Sequence, residues 1–469
     1  MAKYTTPGVY VEEISKFPPS VSEVPSAIPA FVGYTARAIA VAPNDLHLVP
    51  KKISSFADYQ QYFGEPESET IEVAVSKSPG GTYNADSITP PKSAYLLYYS
   101  LKLYFDNGGG PCYIVSLGVP PVVYSKSDVL AGLDTLRQID EVTLIVIAEA
   151  VKLNYSDYAQ VAQAQIQQCS DLRDRFAILD VWCGDLKPDA QVEVSSNPSR
   201  RQAVVDANRA AWVGDLKYAA AYYPFLKTSY NYFVKQGQSD SNVLVLYGGS
   251  KQNLNFYQSS DPVLYSCVLN ALKTQYLTLP PSGAVAGIYC SVDSTRGVWK
   301  APANVALKNA TAPAVAIDDR GQEGLNEDSS AGKSINVIRS FAGKGVLIWG
   351  SRTLAGNDNE WRYVPVRRFF IMVEESVKKS TQWVVFEPND ANTWVKVRAM
   401  IENYLTQKWK EGALQGVKSA EAFFVKCGLG TTMTAQDILE GRLIVEIGLA
   451  AVRPAEFIIL RFSQKMQGS

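Results

Sequence analysis

"VTLIVIAEAVKLNYSDYAQVAQAQIQQCSDLRDRFAILDVW", residues 142–182, sets two apolar runs on either side of a polar, helix-like stretch. "VTLIVIAE" (142–149) and "FAILDVW" (176–182) offer almost no polar face to water. Strands of that kind are covered on both faces, as in parallel sheets. With residues 155–172 read as a helix between them, the order is strand, helix, strand, which predicts an α/β fold.

Outward from this unit the same alternation continues. "AFVGYTARA", from Ala30, reads as a first buried strand, "PCYIVSLG" (111–118) as another and "YYPFLKTS" (222–229) as a third. Helices are expected over 54–64, with Ser54 or Ser55 as N-cap and Gly64 closing it, over 93–110 through Leu97, Leu101 and Phe105, and over 199–211. Residues 65–92 are polar and proline-rich, an inserted loop or small β excursion. Beyond "VLYSCVLNALKTQYL" (263–277), a glycine- and proline-rich path leads to 335.

The last quarter differs in character. "GKGVLIWGSRT" reads as a strand between turns. Residues 366–389 read as a helix with Phe369, Val373 and Val377 on one stripe. A second helix, 392–412, is capped by Asn392, stopped by Gly412 and striped by Trp394, Val397, Ile401 and Leu405. "TAQDILEG" places Thr434 three residues before Asp437, a capping-box spacing. Two more strands follow, split by Pro454, the second being "EFIILRF" (456–462). At the other end "GVYVEEI" (8–14) alternates as a strand, and Pro18, Pro19, Pro25 and Pro29 then hold the chain extended. Both termini therefore read as strands on leashes that need partners elsewhere.

Composition narrows the function. The 469 residues carry 45 Lys+Arg against 46 Asp+Glu, a formal net charge of -1, so nothing draws the chain to nucleic acid or an anionic membrane. No apolar run reaches the roughly 18 residues of a membrane span, and the first residues do not read as a secretory leader. Six scattered cysteines without CxxC spacing read as thiols kept in a reducing compartment, so synthesis in the cytosol is expected.

Catalytic signatures fail one by one. "EDSSAGKS" (327–334) ends like a phosphate-binding loop, but the position of its first glycine is Glu327, whose charge would repel phosphate. The single histidine, His47, reads as a loop residue near a strand with no partner set. Asp318 and Asp319 lack an EF-hand pattern. No catalytic residue, metal site or cofactor is expected.

One stretch concentrates fixed charge. "GSRTLAGNDNEWRYVPVRRFF" (350–370) holds Arg352, Arg362, Arg367 and Arg368 around Trp361. Two readings are open: an exposed helix face with Glu360, Glu374 and Glu375 as solvated partners, or a contact surface, since arginine beside aromatics is the make-up of interface hot spots.

The motifs "PGVYVEE", "AFVGYT", "FDNGGGPCYIV", "NVIRSFAGKGVLIWGSRTL", "WRYVPVRRFF", "FEPND", "GALQG" and "PAEFI", in that order, resemble the tail sheath proteins of contractile phages and related bacterial injection particles. The resemblance runs from Pro7 to about residue 460 and is most specific over 336–416. A chain of this length is similar to the sheaths of extracellular injection systems and simple phage tails.

The resemblance implies an α/β protein: an N-terminal arm (1–20), an outer region with a small β excursion (21–120), a non-catalytic subtilisin-like α/β domain (121–335), an α+β inner C-terminal domain (336–454) and a C-terminal arm strand (455–469). It implies hexameric rings of the chain stacked around an inner tube, with baseplate and tail-terminator or cap partners. Nucleic-acid binding and direct membrane insertion are not implied. The particle would be a phage tail or a released injection device made in a bacterial cytoplasm. Arms would exchange strands with neighbouring subunits through Val9, Tyr10, Val11, Phe457, Ile458, Ile459 and Leu460. Arg352, Arg362, Arg367 and Arg368 are expected to pair with acids of adjacent subunits, and Lys396, Arg398, Lys408 and Lys410 to face the tube. A subtilisin-like or nucleotide-dependent enzyme, or another self-assembling particle component, are the alternatives.

Overall fold

Phe176–Asp180, buried at every position, is the middle strand of a nine-stranded sheet in the computed structural model. Ala219–Tyr223 and then Ile335–Phe341 pair with it in parallel on one side. Leu144–Val146, Pro29–Gly33 and Cys112–Ser116 continue in parallel on the other. Antiparallel strands close both edges, Gly345–Ile348 with Val305–Ala306 at one and Lys51–Ile53 at the other. The doubly apolar runs lie in this sheet because helices such as Tyr155–Leu172 exclude water from its strands. The structure describes residues 21–66, 69–89, 95–121, 123–194, 201–235, 241–328 and 330–459.

Contacts divide the chain into two units, Pro25–Met372 with Arg453–Ser469, and Met1–Val24 with Val373–Val452. The first contains the nine-stranded sheet, whose strands come from stretches expected as three regions, 21–120, 121–335 and 336–454. A parallel strand finds its neighbour through a long crossover, so composition along the chain does not mark where the sheet ends. Within the stretch expected as a loop or β excursion, Ile71–Lys77 and Tyr83–Thr89 pair as a hairpin, joined in parallel by Val243–Tyr247. This small sheet has its own core, with Val73, Val245, Leu264 and Val268 fully enclosed.

Several local expectations are met. Ser55 caps Phe56–Phe63 in a capping box with Asp58, and Gly64 ends that helix at φ 77°, a left-handed value that costs glycine little. Thr434 and Asp437 form the second capping box. Other expectations are corrected. The run 222–229 is two strands, Ala219–Tyr223 and Leu226–Asn231, in different sheets. The supposed glycine-rich path contains the helix Ser282–Arg296. Its glycines are packing residues: a Cβ at Gly283 would lie 2.5 Å from the carbonyl oxygen of Ser100, and one at Gly287 2.5 Å from that of Tyr104.

The Val364–Ser380 helix, whose residues are divided between the two units, ends nine residues before the expected 389, and in the second unit Ala391–Lys410 is capped by Asp390 rather than Asn392. Asp390 accepts the backbone N–H groups of Asn392 and Thr393, so the cap lies two residues earlier than expected. Phe423–Cys427 and Val445–Leu449 form an antiparallel pair. Among the described residues no third strand joins them, although two strands alone are marginal in water.

Two of the carboxyl groups enclosed in the sheet unit have their pKa raised by burial. Glu149 accepts the N–H groups of Tyr34 (2.7 Å) and Leu97 (3.2 Å), yet burial pushes its pKa up to about 8. Asp180, at the end of the central strand, accepts from the backbone and hydroxyl of Ser282, and burial raises it to about 7. Between the ordinary carboxylate range and these values the folded chain holds protons that the unfolded chain releases. Stability from each group is therefore complete below about pH 4 and is lost as pH rises through 7 to 8, with a slope of at most about 1.4 kcal/mol per pH unit per proton. Urea denaturation at stepped pH is expected to show stability falling over this window, and Glu149→Gln to flatten the fall.

Candidate assembly interface

The arginine block follows the Gly345–Ile348 strand and enters the Val364–Ser380 helix, and the structure turns three of its four arginines inward. Arg352 is 2% exposed. Its Nε and Nη2 donate to the two oxygens of Glu456 (2.9 and 2.7 Å), its Nη1 to the carbonyl of Asn326 and its Nη2 also to Glu327. Asn336 bonds both backbone groups of Arg352, which fixes the point from which the side chain leaves. Asn326 and Tyr363 donate to the same Glu456 carboxylate. Burial works to raise the Glu456 pKa, but these donors outweigh it and hold the group below its usual range.

Arg368 meets Asp293 with both terminal nitrogens (3.0 and 2.5 Å) and donates to the carbonyl of Ser26. Ser26 Oγ completes the carboxylate's partners at 2.6 Å, and the Tyr289 ring lies under the guanidinium with its centroid 4.5 Å away. Arg367 is 3% exposed and lies over the rings of Trp361 (4.5 Å) and Tyr218 (5.1 Å). Planar guanidinium stacks on aromatic faces at lower desolvation cost than ammonium, which suits arginine here. Arg362 is half-buried and donates to Asn359 at 2.8 Å.

The expectation that all four arginines face neighbouring subunits is therefore corrected for Arg352, Arg367 and Arg368, whose charges are met inside the chain. Their partners escaped sequence reading because Asp293 lies 75 residues away and Glu456 104 residues away. Neither carries a short-range signal, and Asp293 falls in the stretch read as irregular. Trp361, expected beside the arginines, is an aromatic partner of Arg367.

The tube-facing set separates in a similar way. Lys396, Arg398 and Lys410 are exposed on the Ala391–Lys410 helix. Lys408 is not: it is 5% exposed and paired with Glu411 (2.6 Å) and Glu23. Its burial lowers the pKa, but the hydrogen bonds it donates to both carboxylates more than reverse this. Of the strand-exchange residues, Phe457, Ile458 and Ile459 are 68%, 79% and 78% exposed, and no strand is assigned over 452–459. Val9, Tyr10, Val11 and Leu460 lie outside the described residues.

The phosphate-loop resemblance has a physical counterpart. Asp328 accepts the N–H groups of Ser330, Ala331 and Lys333, so a carboxylate already fills the nest a phosphate would use. Lys333 Nζ donates to the carbonyls of Arg209 and Trp212 at the end of the Val204–Ala211 helix. His47 makes an isolated β-bridge with Ser116, as a loop residue beside a strand.

Comparison with known proteins follows these surfaces. Residues 195–354 match the model of the phage tail sheath protein central domain, and residues 356–465 that of the phage tail sheath C-terminal domain. The helical sheath of the anti-feeding prophage in its contracted state is 32% identical, with a TM-score of 0.66 over 98% of this chain and 100% of that one. The contracted sheath complex of the extracellular contractile injection system PVC is also 32% identical, with a TM-score of 0.62 over 99% of both chains. The tail sheath protein of Vibrio phage KVP40 is 24% identical over 187 residues, which are 39% of this chain and 26% of that protein. The match thus spans about a quarter of that larger relative.

Removing one partner of a buried ion pair strands the other, at a cost of about 3–5 kcal/mol. Arg368→Ala is expected to lose stability of that order in urea denaturation. Arg368→Lys should recover part of it, because an ammonium keeps the charge but not the two-pronged contact with Asp293.

Proposed function

This chain belongs to the contractile tail sheath family, and from that membership we propose that it polymerises as stacked hexameric rings around an inner tube and contracts once to drive that tube through a target envelope. The observation that carries the proposal is a minimal sheet together with an uncovered apolar segment. Among the described residues no third strand joins Phe423–Cys427 and Val445–Leu449, while Phe457–Ile459 is apolar, exposed and outside any assigned strand. Strands added from neighbouring copies would complete that sheet and cover those side chains.

In this account the N- and C-terminal arms, through Val9, Tyr10 and Val11 and through Phe457 to Leu460, link copies into a mesh. The sheet unit acts as the subtilisin-like α/β body without its chemistry, since fold alone does not carry activity. Relatives with this architecture are structural sheaths, and the chain's role is mechanical rather than enzymatic. Contraction needs no cofactor. An extended assembly held by tube and baseplate gives way to a wider packing whose interfaces are lower in free energy, each subunit moving as a nearly rigid body. Baseplate and cap proteins bound the cylinder, and the assembly belongs to a phage tail or a released injection particle.

The tube contact is assigned to the exposed lysines of the Ala391–Lys410 helix. Lys396 and Lys410 are two heptads apart, so a 3.6-residue helix presents them on nearly one face, while Arg398, two residues from Lys396, projects from another side. A modest charge contact suits an interface that contraction must break.

Negative-stain electron microscopy of the purified chain is expected to show long hollow cylinders, absent from a version lacking residues 1–16. Monomers from the full chain at high concentration would contradict the sheath role. With tube protein present, Lys396→Glu with Lys410→Glu should reduce extended, tube-filled assemblies several-fold and leave empty cylinders unchanged. Equal yields would remove this helix from the tube interface.

A further inference from the structure

The described root of each arm is held by one carboxylate seated on one buried cation. At the N-terminal side, the N–H of Ser22 donates to Ser380 Oγ and that of Val24 to Ser376 Oγ, both at 3.0 Å. Extended backbone advances about 6.6 Å over two residues and a helix rises about 6 Å over four, so alternate amides of the strap meet hydroxyls one turn apart. Glu23, between those amides, pairs with Lys408. At the C-terminal side, Glu456 pairs with Arg352 and accepts from Asn326 and Tyr363.

The two anchors share a further feature. Each buried cation has a second carboxylate from the body of its unit: Glu411 for Lys408 and Glu327 for Arg352. If the arm carboxylate departs, the cation keeps a partner and the body keeps its fold. The anchors also lie in different units, Glu23 with Val373–Val452 and Glu456 with Pro25–Met372, so load on the two arms enters the chain at two places.

Building on the strand-exchange reading, we infer that Lys408 and Arg352 are positioning residues that fix where each arm leaves its subunit. Each residue peeled from the body lengthens the free strap by about 3.3 Å. Anchoring at Glu23 and Glu456 confines the give of the mesh to the linkers beyond them, so that motion of one subunit is passed to the next instead of being absorbed as slack.

The test uses Glu23→Gln and Glu456→Gln in the full chain, which remove the arm's charge without stranding a buried cation. Hydrogen exchange is expected to quicken at least tenfold at Ser22 and Val24 in the first variant and around Glu456 in the second, with melting temperature little changed. Cylinders of the double variant should show broken coupling, with extended and contracted stretches in one particle, and Glu23→Asp with Glu456→Asp should restore part of the uniform contraction. Unchanged exchange at the arm roots would overturn the anchors. Faster exchange with uniform contraction would overturn their positioning role. If the parent chain forms no cylinders, the sheath reading fails, while the exchange comparison still decides whether the anchors hold.

Discussion

A guanidinium taken out of water must be met by a carboxylate, by several carbonyls or by aromatic faces, and the rest of this structure is arranged around meeting that demand. Arg352 draws in Glu456, Glu327 and the carbonyl of Asn326, Arg368 draws in Asp293, Ser26 and Tyr289, and Arg367 is covered by Trp361 and Tyr218. These contacts tie the beginning of the long Val364–Ser380 helix to the Ser282–Arg296 helix, to the residues before the first sheet strand and to the root of the C-terminal arm. Such pairs add little net stability over well-packed apolar residues, but losing one partner is severe, so they define one arrangement more than they deepen it.

That division of labour fits a subunit that must move without deforming. Charges that lock the body are buried and satisfied within it. What stays outside is weaker and separable: exposed Lys396, Arg398 and Lys410 on one helix, a sheet of two strands among the described residues, and an exposed apolar segment at Phe457–Ile459. In the contraction proposed for this chain, contacts of the second kind would be exchanged and those of the first kind kept. Lys408 shows how finely the two are separated, being two residues from exposed Lys410 yet enclosed against Glu23 and Glu411.

Legibility in the sequence followed the range of the interactions. The central strand, its crossover helix, a serine cap at 54 or 55 and the capping box at Thr434 were readable because period and capping act over a few residues. The Ser282–Arg296 helix was hidden by Gly283 and Gly287, whose low helix propensity is outweighed by close packing on Ser100 and Tyr104. The direction in which the arginines face was unreadable for a different reason. Charge and aromatic neighbours look alike in an interface and in a buried network, and the deciding partners, Asp293 and Glu456, lie far along the chain. Resemblance to a family carried the assembly role, while the placing of individual charges required the fold.

The most direct test of this account is a side-chain-resolution cryo-EM reconstruction of assembled cylinders of this chain. The account predicts Arg368 on Asp293, Arg352 on Glu456 and Arg367 against Trp361 within a single copy, with Lys408 still enclosed by Glu23 and Glu411. A reconstruction in which those arginines reach across to carboxylates of a neighbouring copy would contradict it.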